Sequence, residues 1–192
     1  ELVPNYPTQD LAKAQELADD YERRNGKKLE FTANITPQPE VAQVATVLQQ
    51  QLAAVGITVN LAKMDQTQLI LEALQGNYQA TGFILFGSPS IDRDYVFIAS
   101  PSKPRGELSL NFTRLDDPEL TAAMDAARST DNKAEQIEQY KIVQRRMAEN
   151  LNFLFLVRQT AAVVAKPNVS GLGGAPLPHG GRGPATPRLH PP

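Results

Sequence analysis

YQATGFILFGSPSIDRDYVFIAS, residues 78–100, is the stretch around which we interpret the rest of the chain. Within it, residues 82–86 form a short and almost wholly apolar run, which is typical of a strand buried on both faces of a parallel sheet. The run stops at Gly87, and Pro89 cannot continue a strand ladder because it lacks an N–H group. The stretch therefore predicts a buried strand that ends in a loop.

This loop combines hydroxyl and carboxylate side chains. Ser88 and Ser90 lie close in sequence to Asp92 and Asp94. Because ligands of open parallel sheets bind outside the carboxyl ends of the strands, the loop is the first candidate for a binding site. The simpler alternative is an ordinary strand-to-helix loop, in which Asp92 caps a helix over residues 93–99.

The residues before this stretch predict the rest of a sheet. Residues 29–35 and 57–64 alternate apolar and polar side chains, as half-buried strands do. Apolar residues at helical spacing predict helices over residues 9–24, 40–55 and 65–75, with Thr8 as the cap of the first helix and Asp65 as the cap of the third. The order strand, helix, strand, helix, strand implies two right-handed crossovers, so we expect an α/β fold with three strands in one parallel sheet.

The second half of the chain predicts a helical pair and then two more strands. The helices are expected over residues 117–130 and 131–150, with Asp116 or Asp117 and Asp131 or Asn132 as caps. The two strands are expected over residues 153–157 and 160–165.

From Ser170 onward, glycine and proline dominate the sequence. This composition does not favour regular structure, so we expect a folded body over residues 1–169 and a Gly/Pro-rich tail over residues 170–192.

Composition and charge exclude several classes of function. The formal net charge is -2, from 19 basic and 21 acidic residues, which gives no electrostatic footprint for nucleic acid or an anionic membrane. The chain has no cysteine, and both histidines, His179 and His190, lie in the tail. A disulfide, a thiolate metal site and a histidine-based catalytic triad are therefore excluded from the body, and we expect no metal, cofactor or nucleic-acid partner.

Six separate runs of residues carry a resemblance to a known family. They are residues 37–42, 52–59, 77–80, 117–120, 134–140 and 152–157. In order and spacing they resemble the carboxyl-terminal lobe of the extracellular solute-binding proteins that deliver peptides to ABC importers, the oligopeptide- and dipeptide-binding family. The resemblance extends from about Leu11 to Gly174.

This resemblance implies a periplasmic-binding-protein type II-like lobe. Such a lobe has a strand–helix–strand–helix–strand parallel core, followed by a helical pair and two returning strands. Family members hold an extended peptide between two lobes, and the amino-terminal lobe has no counterpart in this sequence. We therefore expect the chain to be a ligand-binding lobe whose partner lobe is missing.

The resemblance also implies where the ligand binds. Phe86 falls on an aromatic position of the family's binding loop, and Asp92-Arg93-Asp94 falls on its Asp-Pro-Asp. The aspartate that receives the peptide's amino group falls on Pro89, which cannot pair with an ammonium group. This substitution disfavours a free peptide amino terminus and leaves an internal peptide segment, a sugar or another small polar ligand open. The expected ligand-binding residues are Asn34, Thr36, Phe86, Gly87, Ser88, Pro89, Ser90, Asp92, Asp94 and Tyr95.

The implied function is that of a non-enzymatic receptor of an ABC-type peptide importer. Its expected partners are the missing lobe, the ligand and the membrane permease, and its expected location is outside the cytoplasm, anchored by lipid through an upstream segment. Two alternatives stay open: a small α/β hydrolase-like enzyme that uses the Ser88/Asp92 loop, and a ligand-free interaction module that docks through the tail.

Overall fold

The structure is a computed structural model that describes residues 6–83, 91–99, 101–156, 166, 169–170, 175–176, 182–183 and 188–189. The elements in the first half are α1 (Leu11–Asn25), β1 (Glu30–Ile35), α2 (Pro39–Ala53), β2 (Thr58–Lys63), α3 (Gln66–Gln75), β3 (Ala80–Thr81), a 3-10 turn (Ile91–Asp94) and α4 (Tyr95–Ile98). They are followed by α5 (Pro118–Arg128), α6 (Lys133–Asn150), β4 (Val169–Ser170), β5 (Ala175–Pro176), β6 (Arg182–Gly183) and β7 (Arg188–Leu189).

A parallel sheet with the strand order β2-β1-β3 forms the first half of the fold. Glu30 of β1 is aligned with Thr58 of β2, and the register continues to Ile35 opposite Lys63. The α/β fold and the parallel sheet are confirmed. β3 is shorter than expected, because it covers only Ala80–Thr81. Gly82 and Phe83 lie outside it, and the rest of the predicted strand, residues 84–86, lies outside the described residues.

The helix ends follow local chemistry. Four helices begin after a side chain that accepts a hydrogen bond from a backbone N–H group in the first turn; these caps are Asp10, Asp65, Asp117 and Asn132. Each cap satisfies a donor that the helix itself leaves unpaired. The caps at Asp65, Asp117 and Asn132 agree with the sequence analysis. Two predicted caps are wrong: α1 is capped by Asp10 instead of Thr8, and Asp92 caps no helix, since α4 begins only after Asp94.

The helices of the second half form an apolar cluster of their own. Leu120 and Met124 of α5 are fully buried against Val143 of α6, and Ile98 of α4 joins the same apolar cluster. Each large aliphatic side chain removed from water in this way contributes about 1.5–3 kcal/mol. The predicted helical pair is thus confirmed, and α4 is anchored on it.

Two predictions for the end of the chain need correction. Leu151 ends α6 in the left-handed conformation (φ 49°), and residues 153–156 then form no strand, because no described strand lies beside them to pair with their backbone. The remaining residue of that predicted strand, and the whole of the next one at 160–165, lie outside the described residues. In the tail, where no regular structure was expected, β4 pairs with β7 and β5 with β6, both antiparallel.

No helix in the described part of the chain is long and apolar enough to cross a membrane.

Candidate functional site

The carboxyl ends of the three parallel strands meet at one edge of the sheet, where α/β proteins bind ligands. At this edge Asn34 is buried, and its backbone carbonyl accepts hydrogen bonds from the Gly82 N–H (2.9 Å) and the Thr81 hydroxyl (3.5 Å). Thr36, just beyond β1, is partly exposed. The structure therefore places both predicted residues of this part of the site at the sheet edge.

An aromatic cluster of Phe83, Phe112 and Phe97 joins this edge to α4. Phe112 is buried, and its ring meets Phe83 edge-on at 5.0 Å between ring centres and meets Phe97 at 5.6 Å. Since Phe83 follows β3 and Phe97 lies in α4, Phe112 brings the chain after β3 and α4 onto one cluster. None of these rings was named as a site residue from the sequence, where isolated phenylalanines carry no signal of their partners.

Two further contacts hold the backbone around Phe112 in place. The Tyr78 hydroxyl donates a hydrogen bond to the Phe112 carbonyl, and burial raises the pKa of Tyr78, although Arg114 and Arg105 oppose the rise. Arg114 donates to the carbonyls of Leu74, Lys103 (3.1 Å) and Glu107 (3.0 Å), and so fastens the loop before α5 to the end of α3.

The described part of the predicted loop is held by α5. The Asp92 carboxylate pairs with Arg128 at 2.9 Å, and the Arg128 guanidinium lies 4.4 Å from the centre of the Tyr95 ring. The Tyr95 hydroxyl is hydrogen-bonded to Asp125, and burial, reinforced by this carboxylate, raises the pKa of Tyr95 against the opposing charge of Arg128. Asp92 and Tyr95 are thus engaged within the protein.

Asp94 differs from Asp92. Its side chain is partly exposed, and burial raises its carboxyl pKa while the adjacent Arg93 lowers it. No ion pair of Asp94 is found among the described residues. Of the two loop carboxylates, Asp94 is therefore the one whose oxygens are better placed to accept a hydrogen bond from a ligand.

The other predicted site residues cannot be placed. Phe86, Gly87, Ser88, Pro89 and Ser90 lie outside the described residues, so their roles stay predictions. No group of three or more potential metal ligands occurs in the described ranges.

Comparison with known families identifies the fold. The family model "Bacterial extracellular solute-binding proteins, family 5 Middle" matches residues 1–106, more than half of the chain. The chain belongs to this family. The resemblance to oligopeptide- and dipeptide-binding proteins of ABC importers is thereby confirmed, and family 5 proteins bind solutes outside the cytoplasm.

Solved structures of other solute-binding proteins share the fold. The oligopeptide-binding protein AppA from Bacillus subtilis, solved with a nonapeptide, has a TM-score of 0.65 at 21% identity over 80% of this chain and 34% of its own. NikZ from Campylobacter jejuni, solved with Ni(L-His), has a TM-score of 0.64 at 23% identity over 78% of this chain and 32% of its own. DppA from Helicobacter pylori, solved with the peptide STSA, has a TM-score of 0.61 at 20% identity over 79% of this chain and 30% of its own.

This family 5 chain thus spans about a third of the length of these structures. A sequence comparison with curated proteins finds no match.

Proposed function

We propose that this chain is the carboxyl-terminal, ligand-binding lobe of a solute receptor for an ABC-type importer. In this proposal the ligand is a peptide or another small polar molecule, and a second lobe, which this sequence does not include, supplies the opposite wall of the cleft. The observation that supports it best is the sheet edge of a family 5 fold, where Asn34 and Thr36 lie at the carboxyl end of β1 and Phe112 links the chain after β3 to α4.

The edge has the chemistry of a wall for a polar ligand. Thr36 offers a hydroxyl group, Asp94 a carboxylate and Phe83 a ring that is 39% exposed. Ligand sites commonly combine apolar contact area with a few polar groups that fix orientation. Phe86, Gly87, Ser88, Pro89 and Ser90 would complete this wall.

The ligand class is narrowed by one residue. At the position where the family's aspartate would receive a peptide amino group, this sequence has Pro89, which offers no charge. We therefore favour an internal peptide segment, a sugar or another small polar molecule over a free amino terminus. Among solved structures of this fold, AppA from Bacillus subtilis holds a nonapeptide and an oligopeptide-binding protein from Thermotoga maritima holds mannohexaose, which supports this choice.

A receptor role is favoured over an enzymatic one. The hydrolase alternative needs Asp92 as part of a Ser88/Asp92 site, but the Asp92 carboxylate is paired with Arg128. This contact engages Asp92 Oδ1 with a side chain of α5 instead of leaving it directed at Ser88. If the chain is a hydrolase, replacing Asp92 and Asp94 by asparagine should abolish turnover. If it is a receptor lobe, these changes should affect only ligand binding.

The proposal extends to partners and location. The lobe would act with its complementary lobe and with a membrane permease, outside the cytoplasm and anchored by lipid through an upstream segment. No nucleic-acid partner is proposed.

We expect the chain alone to bind its ligand weakly. Hinged receptors enclose a ligand by closing two lobes over it, and one lobe supplies one wall. Losing half of an interaction of ~8 kcal/mol takes a micromolar ligand to roughly millimolar.

Two measurements test the proposal. Mass spectrometry of the chain after native purification identifies a retained ligand. Calorimetry with a defined set of synthetic peptides and oligosaccharides, with and without the complementary lobe in trans, measures affinity. Weak binding that tightens with the second lobe supports the proposal. If no ligand binds under either condition, the result favours the interaction module. Submicromolar binding by the chain alone contradicts the interpretation that this chain forms only one wall of the cleft.

A further inference from the structure

Lys63, the last residue of β2, lies at the same sheet edge as the predicted site residues of β1. In the register of the parallel sheet it is opposite Ile35, the residue between Asn34 and Thr36. The Met64 N–H donates a hydrogen bond to the Ile35 carbonyl (3.0 Å), which holds this register to the end of both strands. Because neighbouring strands are only about 4.7–4.9 Å apart, Lys63 is a close neighbour of Thr36.

The ammonium group of Lys63 is not engaged by the described part of the protein. The side chain is exposed, and among the described residues it forms no ion pair and no hydrogen bond. Two other exposed lysines, Lys13 of α1 and Lys141 of α6, pair instead with glutamates of their own helices at 2.9 and 2.7 Å. The charge of Lys63 is therefore available to a ligand that lies on this edge.

The acidic residues that follow β1 and β2 leave this charge in place. The Asp65 carboxylate accepts the Gln68 N–H at 3.0 Å and so caps α3. Glu40 lies in the first turn of α2, and no ion pair joins it to Lys63. The end of β2 thus carries a cation that is paired with no carboxylate in the described ranges, next to the partly exposed hydroxyl of Thr36.

We propose that Lys63 is a specificity-determining residue of the ligand site, and that it selects ligands that present a carboxylate at the sheet edge. This inference rests on the proposed function and deepens it by naming the charge of the ligand. The lysine stem is long and flexible, so the ammonium group can meet a carboxylate that lies over the ends of β1 and β2, and the Thr36 hydroxyl can donate to the same group. A charge-assisted hydrogen bond is stronger than a neutral one, so a carboxylate is preferred over its amide. A peptide carboxyl terminus, an acidic side chain and a sugar acid share this chemistry.

NMR titrations of the isotopically labelled full chain measure this preference. The probes are N-acetylated tetraalanine as the free acid and as the amide, the amide of N-acetyl-Ala-Glu-Ala-Ala, and a galacturonic acid disaccharide with its neutral galactose counterpart. We expect a carboxylate-bearing probe to bind roughly 1.5- to 5-fold more tightly than its neutral counterpart, the range of an exposed ion pair. The ratio should shrink as salt is added. Amide resonances of Ile35, Thr36 and Met64 should shift, whereas those of Glu30 and Thr58, at the amino ends of the same strands, should not.

Substitutions show whether Lys63 carries the preference. Lys63→Gln removes the charge, so the carboxylate probe and its neutral counterpart should bind equally, whereas Lys63→Arg keeps the charge and should keep the ratio. Lys27→Gln is the matched control, because Lys27 is also exposed but precedes β1, at the opposite end of the sheet. The readout is a ratio of two ligands on one variant, so a general loss of stability affects both ligands and leaves the ratio unchanged.

The outcomes separate this inference from the proposed function. If the probes bind but no carboxylate-bearing probe binds more tightly than its neutral counterpart, or if Lys63→Gln retains the ratio, the inference is overturned and the proposed function stands. If the preference is present and depends on Lys63, the inference holds, and the probe with the largest ratio identifies the source of the carboxylate. If no probe binds, with or without the complementary lobe in trans, the proposed function fails and this inference fails with it.

Discussion

Replacing Phe112 by alanine should destabilise the fold and separate the sheet edge from α4. The side chain is 5% exposed and touches two other rings, Phe83 and Phe97. Truncating a buried phenylalanine to alanine costs about 3–5 kcal/mol, because apolar area is lost and a cavity remains. Each ring pair accounts for about 0.5–1.5 kcal/mol beyond area burial.

This loss is large relative to the stability of a typical domain. Native domains unfold with a free energy of about 5–15 kcal/mol, so Phe112→Ala removes a sizeable share of it. For a protein of this length, the melting temperature should fall by roughly 6–20 °C, since each kcal/mol corresponds to about 2–4 °C.

Urea unfolding followed by circular dichroism measures the effect, and two variants serve as controls. Phe112→Leu keeps most of the apolar volume and loses only the ring pairs, so it should cost about 1–3 kcal/mol. Phe155→Ala removes a ring that is 67% exposed and should cost under about 1 kcal/mol. A Phe112→Ala cost equal to that of Phe155→Ala would show that Phe112 does not join the two parts of the site.

Three further predictions concern stability. Gly76 has φ 71°, and a Cβ added there would lie 3.0 Å from Arg114 Nε. Gly106 also has a positive φ, but a Cβ added there would meet no atom within 4 Å, so Gly76→Ala should lower the free energy of unfolding by at least about 1 kcal/mol more than Gly106→Ala does. Urea titrations of the two variants measure the difference. Burial raises the pKa of Asp117, but the Leu120 N–H, Arg146 and Asn150 outweigh it, so the folded pKa is lowered. The stability that Asp117 contributes is therefore fully present above about pH 4 and is lost as the pH falls through the folded pKa, and unfolding curves of Asp117→Asn should lack this part of the acid dependence. Deleting residues 170–192 should leave the melting temperature nearly unchanged, because the tail offers little apolar area to offset the entropy of ordering it, and a drop of more than about 5 °C in calorimetry would contradict this.

Local features of the fold could be predicted well from the sequence. Asp65, Asp117 and Asn132 were expected to start helices, and they do so through hydrogen bonds that span only two or three residues. The parallel sheet was also predictable, because the alternation of short strands and helices leaves few connections other than right-handed crossovers.

The candidate site was predictable only in part. Asn34 and Thr36 were expected at the sheet edge because ligand sites in parallel sheets follow strand ends, and the structure places them there. The contacts that Asp92 and Tyr95 make with Arg128 were not predictable, because they depend on how α5 packs.

The sequence by itself determined the positions and limits of most helices, the parallel pairing of the three strands and the family of the fold, because these depend on periodicity, caps and short connections. Only the tertiary structure decided that β3 stops after Thr81 and that residues 153–156 form no strand. It also decided that Phe112 meets Phe83 and Phe97, and that Arg128 pairs with Asp92. The physical reason is that a ring contact or an ion pair between distant residues forms only after the intervening chain has packed. Such a contact therefore cannot be predicted from the local composition of the sequence or from the spacing of its residues.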